Sequence, residues 1–159
     1  MKSEVIFKYT TSWRGRYTQD EGYEITIYAD CDDPTVWPYQ VKYRRWEVSE
    51  FDDDPEIHEE ETKPIPAPVF NKIKELISDH TEILLCNEDL YEGWTSNNVA
   101  EDIWFACDAF TKSISGNSLF YDGQQDYQSG KDSDFATIYV LAKQITDILQ
   151  EQGIDYLKL

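Results

Sequence analysis

Three stretches within the first fifty residues alternate apolar and polar side chains with a period of two, the pattern of strands that share a sheet with one covered face. In the first, Val5, Phe7 and Tyr9 fall on one side and Glu4, Ile6 and Lys8 on the other. Residues 11–21, with Gly15 and small polar side chains, then break the pattern. In the second, Tyr23, Ile25, Ile27 and Ala29 alternate with Glu24, Thr26, Tyr28 and Asp30, and the turn-forming run DCDDP at 30–34 closes it. The third begins near Tyr39 and keeps Tyr39, Val41 and Tyr43 together; its apolar phase shifts at Arg44-Arg45 to Trp46 and Val48, as a bulge would cause. Together these stretches describe an antiparallel meander.

The second half changes period. KPIPAP at 63–68 is too rich in proline for the interior of a strand or helix and reads as a short stiff connector. Pro68 suits the first turn of a helix, where a missing N–H costs nothing. Val69, Ile73, Leu76 and Ile77 recur at helical spacing and predict a helix over 68–80. The apolar run Ile83–Cys86 reads as a buried strand. Residues 102–110 fit both periods: Val99, Ile103, Ala106 and Phe110 suit a helix with Asn98 and Glu101 as a capping box, whereas Ile103, Phe105 and Cys107 alternate as a strand. The aromatic alternation reads as a strand, followed across Gly116-Asn117 by a short strand at 119–121. The last helix, over 133–152, carries the stripe Phe135, Ile138, Leu141, Ala142, Ile145, Ile148 and Leu149, with Ser133 to cap its start and Gly153 to close it. No internal repeat or linker interrupts the chain, so the expected fold is a single α+β domain over residues 1–159: an antiparallel sheet begun by a three-stranded meander, with two main helices packed on it.

Composition narrows the partners. Thirty-two acidic residues against fourteen basic ones leave a net charge of −18, yet aromatics make up 14%, which disordered acidic chains rarely reach. Affinity for a polyanion comes largely from Lys and Arg displacing counterions, so nucleic acid and anionic membrane surfaces are not expected partners. A cationic protein is, because opposite charge steers encounter. No apolar run has the length of a signal peptide or of a membrane span, which reads as a cytoplasmic chain. Cys31, Cys86 and Cys107 are odd in number and lack CxxC spacing, so they read as buried thiols.

Catalytic and cofactor patterns are not found in the sequence. His58 lies in an acidic run and His80 at a helix end, where a cation suits the dipole. No GxSxG elbow, glycine-rich phosphate loop or calcium loop occurs. The expectation is a protein that is not an enzyme and that has no catalytic residue, cofactor or resident metal. Paired carboxylates for a carbohydrate-acting enzyme, with tryptophans stacking on sugar rings, stand as a rival reading.

The charge is unevenly placed. Residues 1–50 hold seven bases and nine acids, whereas FDDDPEIHEEE at 51–61 contributes Asp52, Asp53, Asp54, Glu56, Glu59, Glu60 and Glu61 with no base. That run reads as a solvated loop at the boundary between strand-rich and helix-containing halves, or as a recognition surface. From Glu75 to Thr111 nine acids occur without a Lys or Arg, and NEDLYEGWTS at 87–96 sets Tyr91 and Trp94 among Glu88, Asp89 and Glu92. Aromatic anchors in charged surroundings are a usual composition for an interface hot spot.

The strands VIFKY and YEITIYAD, the helix PVFNKIKELI, the strand IWFACDAF and the closing helix FATIYVLAKQITDIL give an order of elements that, with the acidity, resembles the small immunity proteins that protect bacteria from polymorphic or contact-dependent toxins. The resemblance implies a non-enzymatic cytoplasmic inhibitor that binds its cognate toxin tightly, often by covering a basic nucleic-acid-binding cleft, and it carries over no site residue. A phage-type DNA mimic aimed at a host DNA-binding protein would share the charge and is the alternative.

Overall fold

The computed structural model describes residues 3–14, 20–30, 38–48, 56–86, 99–108, 110–116 and 119–155. Its strands are β1 (Ser3–Arg14), β2 (Asp20–Asp30), β3 (Tyr39–Val48), β4 (Glu56–Pro64), β5 (Val99–Ala106) and β6 (Thr111–Gly116). They form one antiparallel sheet in the order β4-β3-β2-β1-β5-β6. The chain walks outward from β1 to β4, then crosses through helices to pair β5 with the free side of β1. β1 is therefore central and β4 and β6 are edges. The helices are α1 (Ala67–Asp79), α2 (Thr81–Cys86), α3 (Leu119–Gln128) and α4 (Asp134–Glu151).

One face of the sheet carries the core. Phe7 and Tyr9 of β1, Ile25 and Ile27 of β2, Val41 of β3, Ile103 and Phe105 of β5 and Ile114 of β6 are buried with Phe70, Ile73 and Ile77 of α1, Leu84 of α2 and the stripe Ile138, Leu141, Ala142, Ile145, Ile148 and Leu149 of α4. Phe105–Phe7 and Tyr9–Tyr23–Tyr43 place tilted aromatic pairs across neighbouring strands, and the Tyr39–Phe70 pair, with centroids 4.6 Å apart, ties β3 to α1. Such pairs add about 0.5–1.5 kcal/mol each beyond the area they bury.

The expected fold class, meander and two main helices are present, and several local expectations are corrected. In β1 the register shifts between Val5 and Phe7, so Ile6 is an extra residue opposite β2. That bulge turns Ile6 and Phe7 both into the core, each 0% exposed, and sends Val5 to the opposite face, where strict alternation would have placed Ile6. β3 pairs with β2 without interruption; the irregularity lies between β3 and β4, where His58 is the extra residue, on the neighbouring strand rather than at Arg44-Arg45. Residues 56–64 are strand rather than loop and connector. Ile83–Cys86 belongs to helix α2, since a short apolar run does not reveal its period. β5 ends at Ala106, where Cys107 N–H donates to Phe110 O at 3.0 Å to close the turn into β6. Residues 119–121 open helix α3, which packs against α4 with Tyr127 and Tyr139 rings 5.9 Å apart.

Local chemistry at α4 follows expectation. Ser133 Oγ accepts from Ala136 N at 3.1 Å, capping the helix, and donates to Asp126 Oδ2 at 2.6 Å, tying the cap to the end of α3. Gly153 closes the C-terminal side at φ 76°, in the left-handed region glycine tolerates. Ser133→Ala is expected to cost about 1 kcal/mol, read as a lower urea midpoint with an unchanged slope.

Gly22 of β2 meets a different constraint. A Cβ there would lie 2.5 Å from Trp46 Cζ2 and 2.6 Å from Thr11 O, and the backbone oxygen has nowhere to go. Gly22→Ala should therefore cost about 1–3 kcal/mol in the same unfolding measurement. A neutral outcome would show that Trp46 does not lie over this glycine in solution.

Candidate functional site

The second sheet face, which carries no core residues, collects the polar positions of every strand. Across it the sign of charge alternates strand by strand. Glu60 lies on β4, Lys42 and Arg44 on β3, Glu24 on β2, Lys8 on β1 and Asp102 on β5. Lys8 Nζ sits 3.4 Å from Glu24 Oε2, Lys42 Nζ 3.2 Å from Glu60 Oε1 and Arg44 Nε 3.9 Å from Glu60 Oε2. Thr10 Oγ1 donates to Glu24 Oε2 at 3.3 Å and Thr26 Oγ1 to Glu24 Oε1 at 3.5 Å. Opposite charges on facing strands stabilise a sheet by roughly 0.2–1 kcal/mol per pair, so the face is held by its own pairing.

This geometry divides the acidic run that the sequence presents as one feature. Glu59, Glu60 and Glu61 are exposed on the edge strand β4, but strand alternation sends Glu60 to the ion-paired outer face and Glu59 and Glu61 to the margin of the helix face. There Glu61 Oε1 lies 3.6 Å from Lys63 Nζ. Glu56 opens β4, while Asp52, Asp53 and Asp54 lie outside the described residues. So do Glu88, Asp89, Tyr91, Glu92 and Trp94, the whole of the acidic aromatic stretch.

Two tyrosines beside β4 register its charge. Burial pushes the Tyr43 phenol up, Glu59 adds to the rise and Arg45 opposes it. Burial also raises Tyr28, reinforced by Asp30 and Glu60 and opposed by a hydrogen bond with Thr62. On the helix face Lys74 of α1 bridges Glu4 Oε1 at 2.5 Å and Asp108 Oδ1 at 2.8 Å, joining the start of β1 to the β5–β6 turn. Its ammonium is held above the usual lysine value by these hydrogen bonds, Asp108 first and then Glu4.

A shallow groove of about 430 Å³ lies on the outer face, lined by Val5, Lys8, Thr10, Asp102, Trp104 and Ser113. The sequence alone does not bring these six together, because the groove needs the β1 bulge to place Val5 and the β1–β5 pairing to bring Trp104 opposite Lys8. The period-two pattern of β5 alone would have put Trp104 and Asp102 on one face. Among the described residues no three His, Cys, Asp or Glu side chains gather in an arrangement that would hold a metal ion. His80, at the end of α1, uses Nδ1–H to donate to Leu76 O at 2.7 Å, satisfying a helix-end carbonyl.

The fold places the chain among two-layer α+β proteins, a six-stranded antiparallel sheet with helices on one face. No protein-family model matches the chain, and a comparison with curated proteins returns no match.

Tyr28, Tyr43 and Lys74 all have folded pKa values above their unfolded ones. The stability each contributes is therefore complete below its unfolded pKa, near 10 for tyrosine and 10.5 for lysine, and is lost as pH rises through the folded value. Urea midpoints should fall between about pH 9.5 and 11, and replacing Tyr28 and Tyr43 by Phe should make that decline shallower. An alkaline decline of the same steepness in the double variant would remove the two phenols as its source.

Proposed function

We propose that this chain is a non-enzymatic acidic inhibitor that binds and blocks a basic protein, in the manner of a toxin-neutralising immunity protein. The observation that carries the reading is the exposure of Glu59, Glu60 and Glu61 on an edge strand of a chain with net charge −18, whose cations Lys8, Lys42, Arg44, Lys63, Lys74 and Lys143 are each drawn into ion pairs with neighbouring carboxylates. Those pairs are short-range, so the excess negative charge dominates the field that an approaching protein meets. In this mechanism carboxylates occupy positions where the partner accepts phosphates, and Tyr91 and Trp94 supply desolvated contact beside Glu88, Asp89 and Glu92. The partner is a toxin domain, with a nuclease the chemistry best matched to the charge.

Co-expression of the chain with the product of the adjacent reading frame tests the proposal. A stable complex in which the partner's toxicity is lost is the expected result; no complex, or a complex that leaves toxicity intact, overturns it. Within such a complex, replacing Glu88, Asp89 and Glu92 by Gln, Asn and Gln should slow association about tenfold at low salt and flatten its dependence on ionic strength. Unchanged association kinetics would remove residues 87–96 from the interface.

A further inference from the structure

Two tryptophans of the outer face have different surroundings. Trp46 lies over Gly22, filling the space a side chain would take, and so has a structural use. Trp104 instead lines the open groove, half-buried, with Lys8 directly across on β1 and the exposed Ser113 directly across on β6. One row further along, Thr10 stands opposite Asp102, and at the other end the β1 bulge contributes Val5. The two charged groups of the lining are opposite in sign, and both are engaged within the chain. Lys8 Nζ lies 3.4 Å from Glu24 Oε2, and Asp102 has an interaction of its own. Engagement does not exhaust their hydrogen bonding, because Asp102 and Ser113 are exposed to solvent. An ammonium has three donors and a carboxylate several lone pairs, while the Thr10 hydroxyl, which donates to Glu24, keeps its capacity to accept.

From this geometry we infer that the groove binds a neutral saccharide, with one pyranose ring seated on the Trp104 indole and its hydroxyls bridging to Lys8, Thr10, Asp102 and Ser113. A pyranose carries an apolar face of C–H groups and a rim of hydroxyls that each donate and accept. The indole, extended by Val5, covers the apolar face. The rim meets one ammonium, one carboxylate and two hydroxyls, a set that holds both donors and acceptors. Charge separates this ligand from others that would stack on an indole. A nucleotide would bring phosphates to a chain of net charge −18 and to a lining whose one cation is already paired with Glu24. A cationic ligand would meet a carboxylate already engaged and an ammonium beside it. A neutral ring incurs neither cost. The volume of about 430 Å³ falls in the range of roughly 300–1,000 Å³ usual for small-ligand sites. The inference concerns binding without bond cleavage, and it is independent of the inhibitor reading, which rests on the exposed carboxylates of β4 and on residues 87–96.

The test titrates the full ¹⁵N-labelled chain with cellobiose, N,N′-diacetylchitobiose and lactose, and with sorbitol, an acyclic polyol that has the hydroxyls but no ring face. The Trp104 indole N–H is followed, assigned by its loss in Trp104→Phe, together with the Ser113 backbone amide. A saturable shift of both signals with at least one disaccharide and none with sorbitol is expected. Affinity should change less than about twofold between roughly 50 and 500 mM NaCl, because salt screens charge and the ligand has none. Trp104→Ala should abolish the Ser113 shift, with a urea midpoint checking that the variant is folded. Asp102→Ala, a second variant that leaves the indole in place, should bind at least about threefold more weakly, as loss of a hydrogen bond implies. No shift with any of the three disaccharides, an equal response to sorbitol, a tenfold loss of affinity in the higher salt, or unchanged affinity in a folded variant overturns the inference. Each of those results leaves the inhibitor reading where it stood.

Discussion

A sheet covered on one face only must make its other face stable in water, and in this chain it does so with cross-strand charge. Lys42 and Arg44 face Glu60, Lys8 faces Glu24, and Asp102 continues the alternation on β5. The arrangement works because β1 is central and paired on both sides, so each row has an opposite neighbour. It also eases the difficulty that a charge of −18 poses for a compact state: among the described residues Lys8, Lys42, Arg44, Lys63, Lys74 and Lys143 each lie within 4 Å of a carboxylate. Lys74 does the same on the helix face, where one ammonium serves Glu4 and Asp108 and fixes α1 against the start of β1 and the β5–β6 turn.

This pairing changes what the acidic run can do. A contiguous loop of carboxylates would present one patch, whereas a strand divides its residues between two faces with a period of two. Glu60 becomes part of the sheet's own pairing, and Glu59 and Glu61 are directed to the edge. The edge itself is unattractive to a stray strand, being charged, bulged at His58 and ended by Pro64. Addition of a further strand to this edge is therefore disfavoured, and what it presents outward is side-chain charge. The groove at the other end of the sheet has the complementary character, little net charge and one aromatic face.

Much of the architecture was legible in the residues because burial imposes a period. The alternation in β2 and the stripe in α4 predicted most of their buried residues, with Ala136, Tyr139 and Thr146 of α4 missed and Phe135 only half-buried, and Ser133 announced the α4 start through its side-chain chemistry. The elements that were misread lack such a period. EIHEEETKP has no apolar alternation because an edge strand need not bury either face, and glutamate has low strand preference; its pairing with β3 overrides that preference. α2 is too short for its period to show, and α3 carries glycine and polar residues and is held against α4.

By itself, then, the sequence determined the sheet-and-helix composition, most of the core-facing side chains of β2 and α4, and a net charge of −18, since these follow from periodicity and from summed charge. Tertiary structure alone decided which residues share a surface. The shift at Ile6 moved Val5 to the outer face, the crossover brought β5 beside β1, and Trp104 was thereby set among Lys8, Thr10, Asp102 and Ser113. Bulges and strand order depend on pairing energies between segments far apart in the chain, which no local pattern of residues records.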